Sequence, residues 1–271
     1  MSELLKSTQS LIEIQILLNA AQGDAECFLL SMKDAQLPSL SFSRVSAVES
    51  CQRRYYLQYI LHKDPDPIPD YFIKGKLLHT IIANSYQKLS QKATIDLDEH
   101  FELINQTTSD ENQTHLMNAV RVHLDNLWNE VEVVGIETPF AMLISPDLPP
   151  VIGVIDLILN QGGHYLVIDH KSGRDFYPPD QLQMAIYRQF IHHQFDVENC
   201  EFFYDHYRWV KNLQRIRKPA FQRSAVDLLS DGWEDSLNRI RHAYRLMQQI
   251  RETNYAQKNG ECYRCPYRNI C

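Results

Sequence analysis

No apolar run in the 271-residue chain is long enough to span a bilayer, and no basic opening leads into a leader-length apolar stretch. A cytoplasmic protein without a membrane anchor is therefore expected. A Gly-x4-Gly-Lys-Ser/Thr loop is missing, so no nucleoside-triphosphate motor is visible. Positive charge is in short supply. With 27 Lys and Arg against 34 Asp and Glu the net charge is −7, which argues against a protein that coats nucleic acid with its whole surface. Repeats and low-complexity tracts are absent too. What remains, 44% hydrophobic and 23% charged residues, is the composition of a folded chain with one large core or two modest domains.

The stretch around which the chain is organised is VIGVIDLILNQGGHYLVIDHK, residues 151–171. Two runs rich in Val, Ile and Leu flank Gly162-Gly163, the pattern of a β-hairpin with a buried face. Each run carries an acid where a buried strand should have none: Asp156 in the first, Asp169 at the end of the second. Lys171 follows two residues on, so it shares a face with Asp169. Ionised groups among aliphatic residues cost several kcal/mol unless paired or metal-bound. Two converging aspartates suit a hard cation such as magnesium or manganese; the plain alternative is a salt bridge at a strand end.

Upstream, residues 11–21 and 25–32 read as short helices, an N-terminal helical extension closed by Pro38. The segment LSFSRVSAVESCQRRYYLQYIL has near-helical apolar spacing through Cys51, with Ser43 as a plausible N-cap. Three prolines make 62–70 a loop. A helix over 71–89 holds Gly75 and His79, four apart; His79 could ligate a metal, although a lone helix histidine is more often a surface or core residue. Helices at 97–106 and 111–132 form an inserted layer over 97–132. A strand over 133–144 carries Glu137, an acid near the hairpin whose simpler place is an exposed edge. After the hairpin, Pro178-Pro179 introduce a helix over 180–195 with Gln183 and Tyr187 on one face. A strand over 201–210 precedes a long helix over 224–256. Between them Arg208, Lys211, Arg215, Arg217, Lys218 and Arg223 make a segment of +6, leaving −13 for the rest. That segment is either a solvated strand-to-helix connection or, with Trp209 and Phe221 for stacking, a nucleic-acid groove.

The cysteines are unevenly placed. Cys262-x2-Cys265-x5-Cys271 gathers three thiols within the last ten residues, and a tetrahedral site or a cubane needs a fourth. Cys51, beside Arg53 and Arg54, is the first choice, with Cys27 and Cys200 as rivals. Zinc is one occupant. An iron-sulfur cluster is favoured, because zinc modules usually use two close pairs. Such a clasp would close a loop of the size for which disulfide models give ~4 to 5 kcal/mol.

In order, Cys51, Gly75-x3-His79, Gly153-x2-Asp156, Asp169-x-Lys171, Gln183-x3-Tyr187 and the three terminal cysteines resemble the PD-(D/E)XK nuclease superfamily. The likeness is to its RecB-like branch with a C-terminal cysteine cluster, which includes the nuclease domain of AddB and the CRISPR-associated exonucleases of spacer acquisition. The resemblance implies an α/β restriction-endonuclease-like core, a mixed central sheet flanked by helices. It implies a nuclease domain over 39–271, an N-terminal extension over 1–38, and a clasp formed by 257–271 with Cys51. His79, Asp156, Asp169 and the backbone carbonyl of His170 would hold Mg or Mn. Lys171 would orient or activate water, Gln183 and Tyr187 would contact the strand, and the four cysteines would hold a 4Fe-4S cluster. Ile155 stands where the family name expects proline. The activity implied is a metal-dependent deoxyribonuclease, an exonuclease on single strands or ends in DNA repair, recombination or CRISPR adaptation, with any unwinding left to a separate helicase. The alternative from another class is a non-catalytic DNA-binding scaffold in a repair or CRISPR complex.

Overall fold

The apolar runs on either side of Gly162-Gly163 do form a hairpin in the computed structural model, which describes residues 3–108, 110–176, 180–197, 199–228 and 232–271. β1 (Glu132–Met142) precedes it. β2 (Val151–Gln161) and β3 (His164–Gly173) then pair antiparallel, from Leu157 opposite Ile168 to Gln161 opposite His164. Gly162 and Gly163 turn the chain at φ 60° and 95°, a backbone that glycine alone adopts cheaply, and Asn160 Oδ1 accepts the Gly163 N–H at 2.9 Å.

β4 (Cys200–Arg208) runs parallel to β3, from Cys200 beside Tyr165 to Arg208 beside Gly173. A parallel neighbour requires a crossover, and α8 (Gln181–Phe195) provides it, capped by Asp180 accepting the Leu182 N–H. β5 (Phe221–Ala225) closes the sheet antiparallel to β4, giving the order β1-β2-β3-β4-β5. This mixed five-stranded sheet flanked by helices is the α/β, restriction-endonuclease-like class expected from the sequence.

Two compact units share the chain, the division falling inside β1 and β2. One contains residues 70–138 and 155–227. In it α5 (Asp70–Ser90), α6 (Leu97–Thr107) and α7 (Asp110–Asp125) join the strands in one core, where Leu78, Ile81, Val120, Leu157 and Ile168 are buried together. The other contains residues 1–69, 139–154 and 228–271. There α1 (Glu3–Ala20) and α2 (Ala25–Ala35) bring Ile14, Phe28 and Met32 against Ala141 and Ile152. In the same unit a Cβ on Gly153 would stand 2.6 Å from the Phe140 ring. Gly153→Ala should therefore cost about 1 to 3 kcal/mol through overpacking, read as a lower Tm or denaturant midpoint.

Several boundaries differ from the sequence reading. The helix expected to run through Cys51 is capped by Ser41, whose Oγ accepts the Arg44 N–H, rather than by Ser43. It ends as α3 (Phe42–Ser50), because Cys51 is extended at φ −168°, ψ 116° and turns the next residues toward the C-terminal segment. There the Arg53 N–H donates to Gln257 O and the Gln52 N–H to Asn259 Oδ1, each at 3.0 Å. The helix resumes as α4 (Gln52–Tyr55) and a π-turn over Tyr56–Ile60. α7 stops at Asp125, short of 132. The basic segment joins strand to strand rather than strand to helix, since residues 221–225 pair with β4, and α9 (Gly232–Thr253) begins only after them. Pro178 and Pro179 lie outside the described residues.

Candidate active site

Strand pairing and one helix bring the acids together. Asp156 precedes the hairpin's first paired residue, and its Oδ2 accepts the His170 N–H at 2.7 Å, which fixes the carboxylate between β2 and β3. α5 delivers His79, whose Nδ1 is 3.6 Å from Asp156 Oδ2 and 3.8 Å from Glu137 Oε1. One ligand atom from each of His79, Glu137 and Asp156 lies within 4.8 Å of the other two. An imidazole with two carboxylates at that spacing is a donor set that fits a divalent cation with little movement.

Burial raises the pKa of Asp156, helped by the charges of Asp169 and Glu137 and opposed by His79 and Lys171. Burial works against a proton on His79 as well, yet Asp156, Glu137 and Asp169 outweigh it and raise His79 to about 9. The cluster thus holds protons that a cation would displace. Glu137 is the member that sequence reasoning weighed as a further acid at the site but read by preference as an exposed edge residue. It does lie on the edge strand, but at φ 45°, a left-handed conformation unusual for glutamate, and its side chain is 38% exposed. Nothing in VEVVGIETPF marks that backbone turn.

Asp169, only 2% exposed, stands outside this trio among the described residues and anchors a second network. Lys171 Nζ lies 2.6 Å from Asp169 Oδ2 and donates to Gln183 Oε1 at 2.9 Å. Gln183 Nε2 donates to Asp169 Oδ1 at 2.6 Å and to the Tyr187 hydroxyl at 2.8 Å, while Tyr187 donates to Asp169 Oδ1 at 3.3 Å. The i, i+4 spacing of Gln183 and Tyr187 on α8 is what lets both reach one carboxylate. Burial opposes the Lys171 charge, but Asp169 more than compensates and raises its pKa, so the side chain is an ammonium. Tyr204, read from the sequence only as a strand residue, lies under the Lys171 Nζ at 5.4 Å and donates to Asp180 O and Gln183 Oε1.

Neutral histidines back the acids. The His170 ring is 3% exposed, neither of its nitrogens has a hydrogen-bond partner among the described residues, and burial holds its pKa well below the ordinary value. His123, next to it, is lowered to about 3 by burial and shares a 3.1 Å hydrogen bond with the Tyr207 hydroxyl.

Of the basic segment, Arg208 is half-buried and donates to the carbonyls of Arg174 and Pro219. Lys218 pairs with Asp175 at 3.4 Å, and Trp209 has the Lys74 ammonium 5.1 Å from its ring centre. Lys211, Arg215 and Arg217 are exposed. Arg223 is bound instead to Asp205 through two 2.8 Å hydrogen bonds.

In the other unit, Gly260 presses on Cys51. A Cβ there would lie 2.7 Å from Cys51 Cβ, and the Cys262 thiol lies 3.5 Å from Gly260 O. Burial raises the Cys51 thiol, but backbone N–H groups of Arg54, Asn259, Gly260 and Arg53 reverse this and leave it below its ordinary value. A thiol whose ionised form is favoured by such backbone N–H groups is a fit ligand for a metal centre. Cys27 is exposed on α2, and Cys200 sits in β4, 3.6 Å from His192.

The sheet, its acid-bearing hairpin and the crossover helix define an α/β protein with a restriction-endonuclease-like core. The profile of the PD-(D/E)XK nuclease superfamily matches residues 39–271, and the chain belongs to that superfamily: it is a nuclease by family. The crystal structure of a candidate exonuclease from Eubacterium rectale matches with a TM-score of 0.55 at 8% identity, over 88% of this chain and 90% of that one, a likeness of fold. The crystal structure of SSO0001 covers 74% of this chain and 94% of that one at 15% identity, with a TM-score of 0.34. No curated protein matches the chain.

Proposed function

We propose that this chain is a Mg- or Mn-dependent deoxyribonuclease of the RecB-like branch, an exonuclease on single strands or DNA ends that serves repair, recombination or CRISPR adaptation in the cytoplasm beside a separate helicase or CRISPR partner. The observation that carries the reading is the trio of His79, Glu137 and Asp156 with ligand atoms within 4.8 Å, next to a buried Asp169 paired with Lys171. His79, Asp156, Asp169 and the His170 carbonyl are the proposed metal ligands, with Glu137 added by its position. A bound divalent ion supplies charge on the phosphoryl oxygens and lowers the pKa of a water. Lys171, kept charged by Asp169, orients that water and offsets negative charge growing on the phosphate, and it is not the base. Gln183 and Tyr187 fix Asp169 and reach the strand beside the scissile phosphate. The nuclease domain is residues 39–271, with 97–132 inserted and 1–38 as an extension.

Protons and cation compete for the trio, which sets the pH dependence. The raised pKa of His79 contributes stability that is complete below its ordinary value near 6.5 and is lost as pH rises through about 9. Asp156, raised too, likewise favours the protonated native state over the ionised one. A cation replaces those protons, so the rise in Tm on adding Mg²⁺ should be larger at pH 8.5 than at pH 6. Equal shifts at both values would remove the trio as the metal site.

Cys51, Cys262, Cys265 and Cys271 are proposed to hold a 4Fe-4S cluster, with zinc as the less favoured occupant. Three thiols within the last ten residues and a fourth far upstream favour the cluster over zinc, whose modules usually use two close pairs. Anaerobic purification should give a brown protein with iron and sulfide, and Cys51→Ala should lose both. A colourless protein holding zinc would settle for the other metal. Manganese-dependent digestion of end-labelled single strands by the same preparation tests the activity itself.

A further inference from the structure

α5 carries His79 on a half-exposed stripe, opposite the line Leu77, Leu78, Ile81 and Ile82 that faces the core. At its first turn the same helix shows solvent three large apolar residues in succession: Tyr71, Phe72 and Ile73 are 47%, 41% and 43% exposed. All three stand on the helix that delivers His79 to the acidic site. The two rings stand edge to face, their centres 4.7 Å apart and their planes at 75°.

Position along the helix gives these rings a meaning. Phe72 and His79 are seven residues apart, so they point within about 20° of the same direction and are separated by about 10 Å along the axis. That is one to two nucleotide steps of an extended strand. Lys76, exposed, lies between them on the same side. The first turn also leads to the basic segment, since Lys74 of α5 is the cation over Trp209.

Resting on the nuclease reading above, we propose that Tyr71 and Phe72 form a base-stacking platform that holds the unpaired nucleotides of a single strand next to the cleavage site. A duplex covers its base faces with neighbouring pairs, so only an unstacked base can lie on these rings, and the platform selects single strands over duplex. Stacking is also the handle that an acidic site leaves open. The carboxylates of Glu137, Asp156 and Asp169 without a cation repel phosphates, whereas a neutral ring attracts a base whatever the salt.

The test compares the full-length protein with its Tyr71→Ala/Phe72→Ala and Phe72→Leu variants. Binding of a fluorescein-labelled 12-nucleotide thymidine strand and of a 12-base-pair duplex is followed in EDTA at low and high KCl. Hydrolysis of bis(p-nitrophenyl) phosphate with Mn²⁺ reads the chemistry apart from strand binding. The double variant should lose about 10- to 100-fold in affinity for the single strand, by the same factor at both salt concentrations, with duplex binding and diester hydrolysis unchanged. Phe72→Leu, which keeps the apolar bulk without the ring, should lose part of that affinity. Equal single-strand affinity in wild type and double variant, or full affinity in Phe72→Leu, would overturn the platform and leave the patch to a protein partner. Failure of the wild type to hydrolyse the diester would strike the nuclease reading instead.

Discussion

Asp156→Asn should abolish metal-dependent cleavage, a loss on the order of 10² to 10³ at least, while leaving the metal-free protein as stable as the wild type or more so. The asparagine oxygen can still accept the His170 N–H that Asp156 Oδ2 accepts at 2.7 Å, so the two strands keep that bond. What disappears is a carboxylate with only 11% of its side chain exposed, whose charge burial already penalises. The substitution therefore separates structure from chemistry. Thermal melts with and without Mg²⁺ should show the metal-induced shift vanish, and a steady-state assay should show the loss in kcat. If the variant retained the shift and the rate, Asp156 would be a structural strand acid and nothing more.

The second large effect concerns the pair beside it. Lys171→Met leaves Asp169, 2% exposed, with hydrogen bonds from Gln183 and Tyr187 among the described residues and no cation beside it there. Removing one partner of a fully buried pair costs roughly 3 to 5 kcal/mol. Lys171 keeps 39% of its side chain in solvent, so solvent screening reduces the expected figure to about 1 to 3 kcal/mol. Cleavage should fall by about 10². Adding Asp169→Asn to Lys171→Met should restore most of the stability and none of the activity. A double-mutant cycle in urea, paired with rate measurements, tests both statements, and full activity in either single variant would refute the assigned roles.

How much of this could be read from residues alone depends on which interactions are local. The hairpin was legible because Val, Ile and Leu runs around Gly162-Gly163 leave few other folds, and its register follows from the two-residue turn. The convergence of Gln183 and Tyr187 on one carboxylate follows from helical spacing, and the shared face of Asp169 and Lys171 from strand alternation. β5 was missed because FQRSA is short and carries no alternating apolar pattern; only its pairing with β4 makes it a strand. The break at Cys51 was missed for the opposite reason. Apolar spacing continues through it, and the backbone departs from the helix to meet residues 257–259, distant in sequence. Glu137 combined both difficulties, an edge-strand acid whose direction is set by a positive φ that its own sequence does not announce.

The same division explains the basic segment. Charge counting treated its residues alike, but the fold uses Arg223 to neutralise Asp205 and binds Arg208 to two carbonyls, leaving Arg215 and Arg217 in solvent.

The proposed activity requires a cation held between the hairpin and α5. Crystals soaked in Mn²⁺ and measured at the manganese absorption edge test it directly. An anomalous peak about 2.0 to 2.2 Å from His79 Nδ1 and from an oxygen of Asp156 is the expected result. A peak bound elsewhere, with those two side chains unliganded at saturating Mn²⁺, would contradict it.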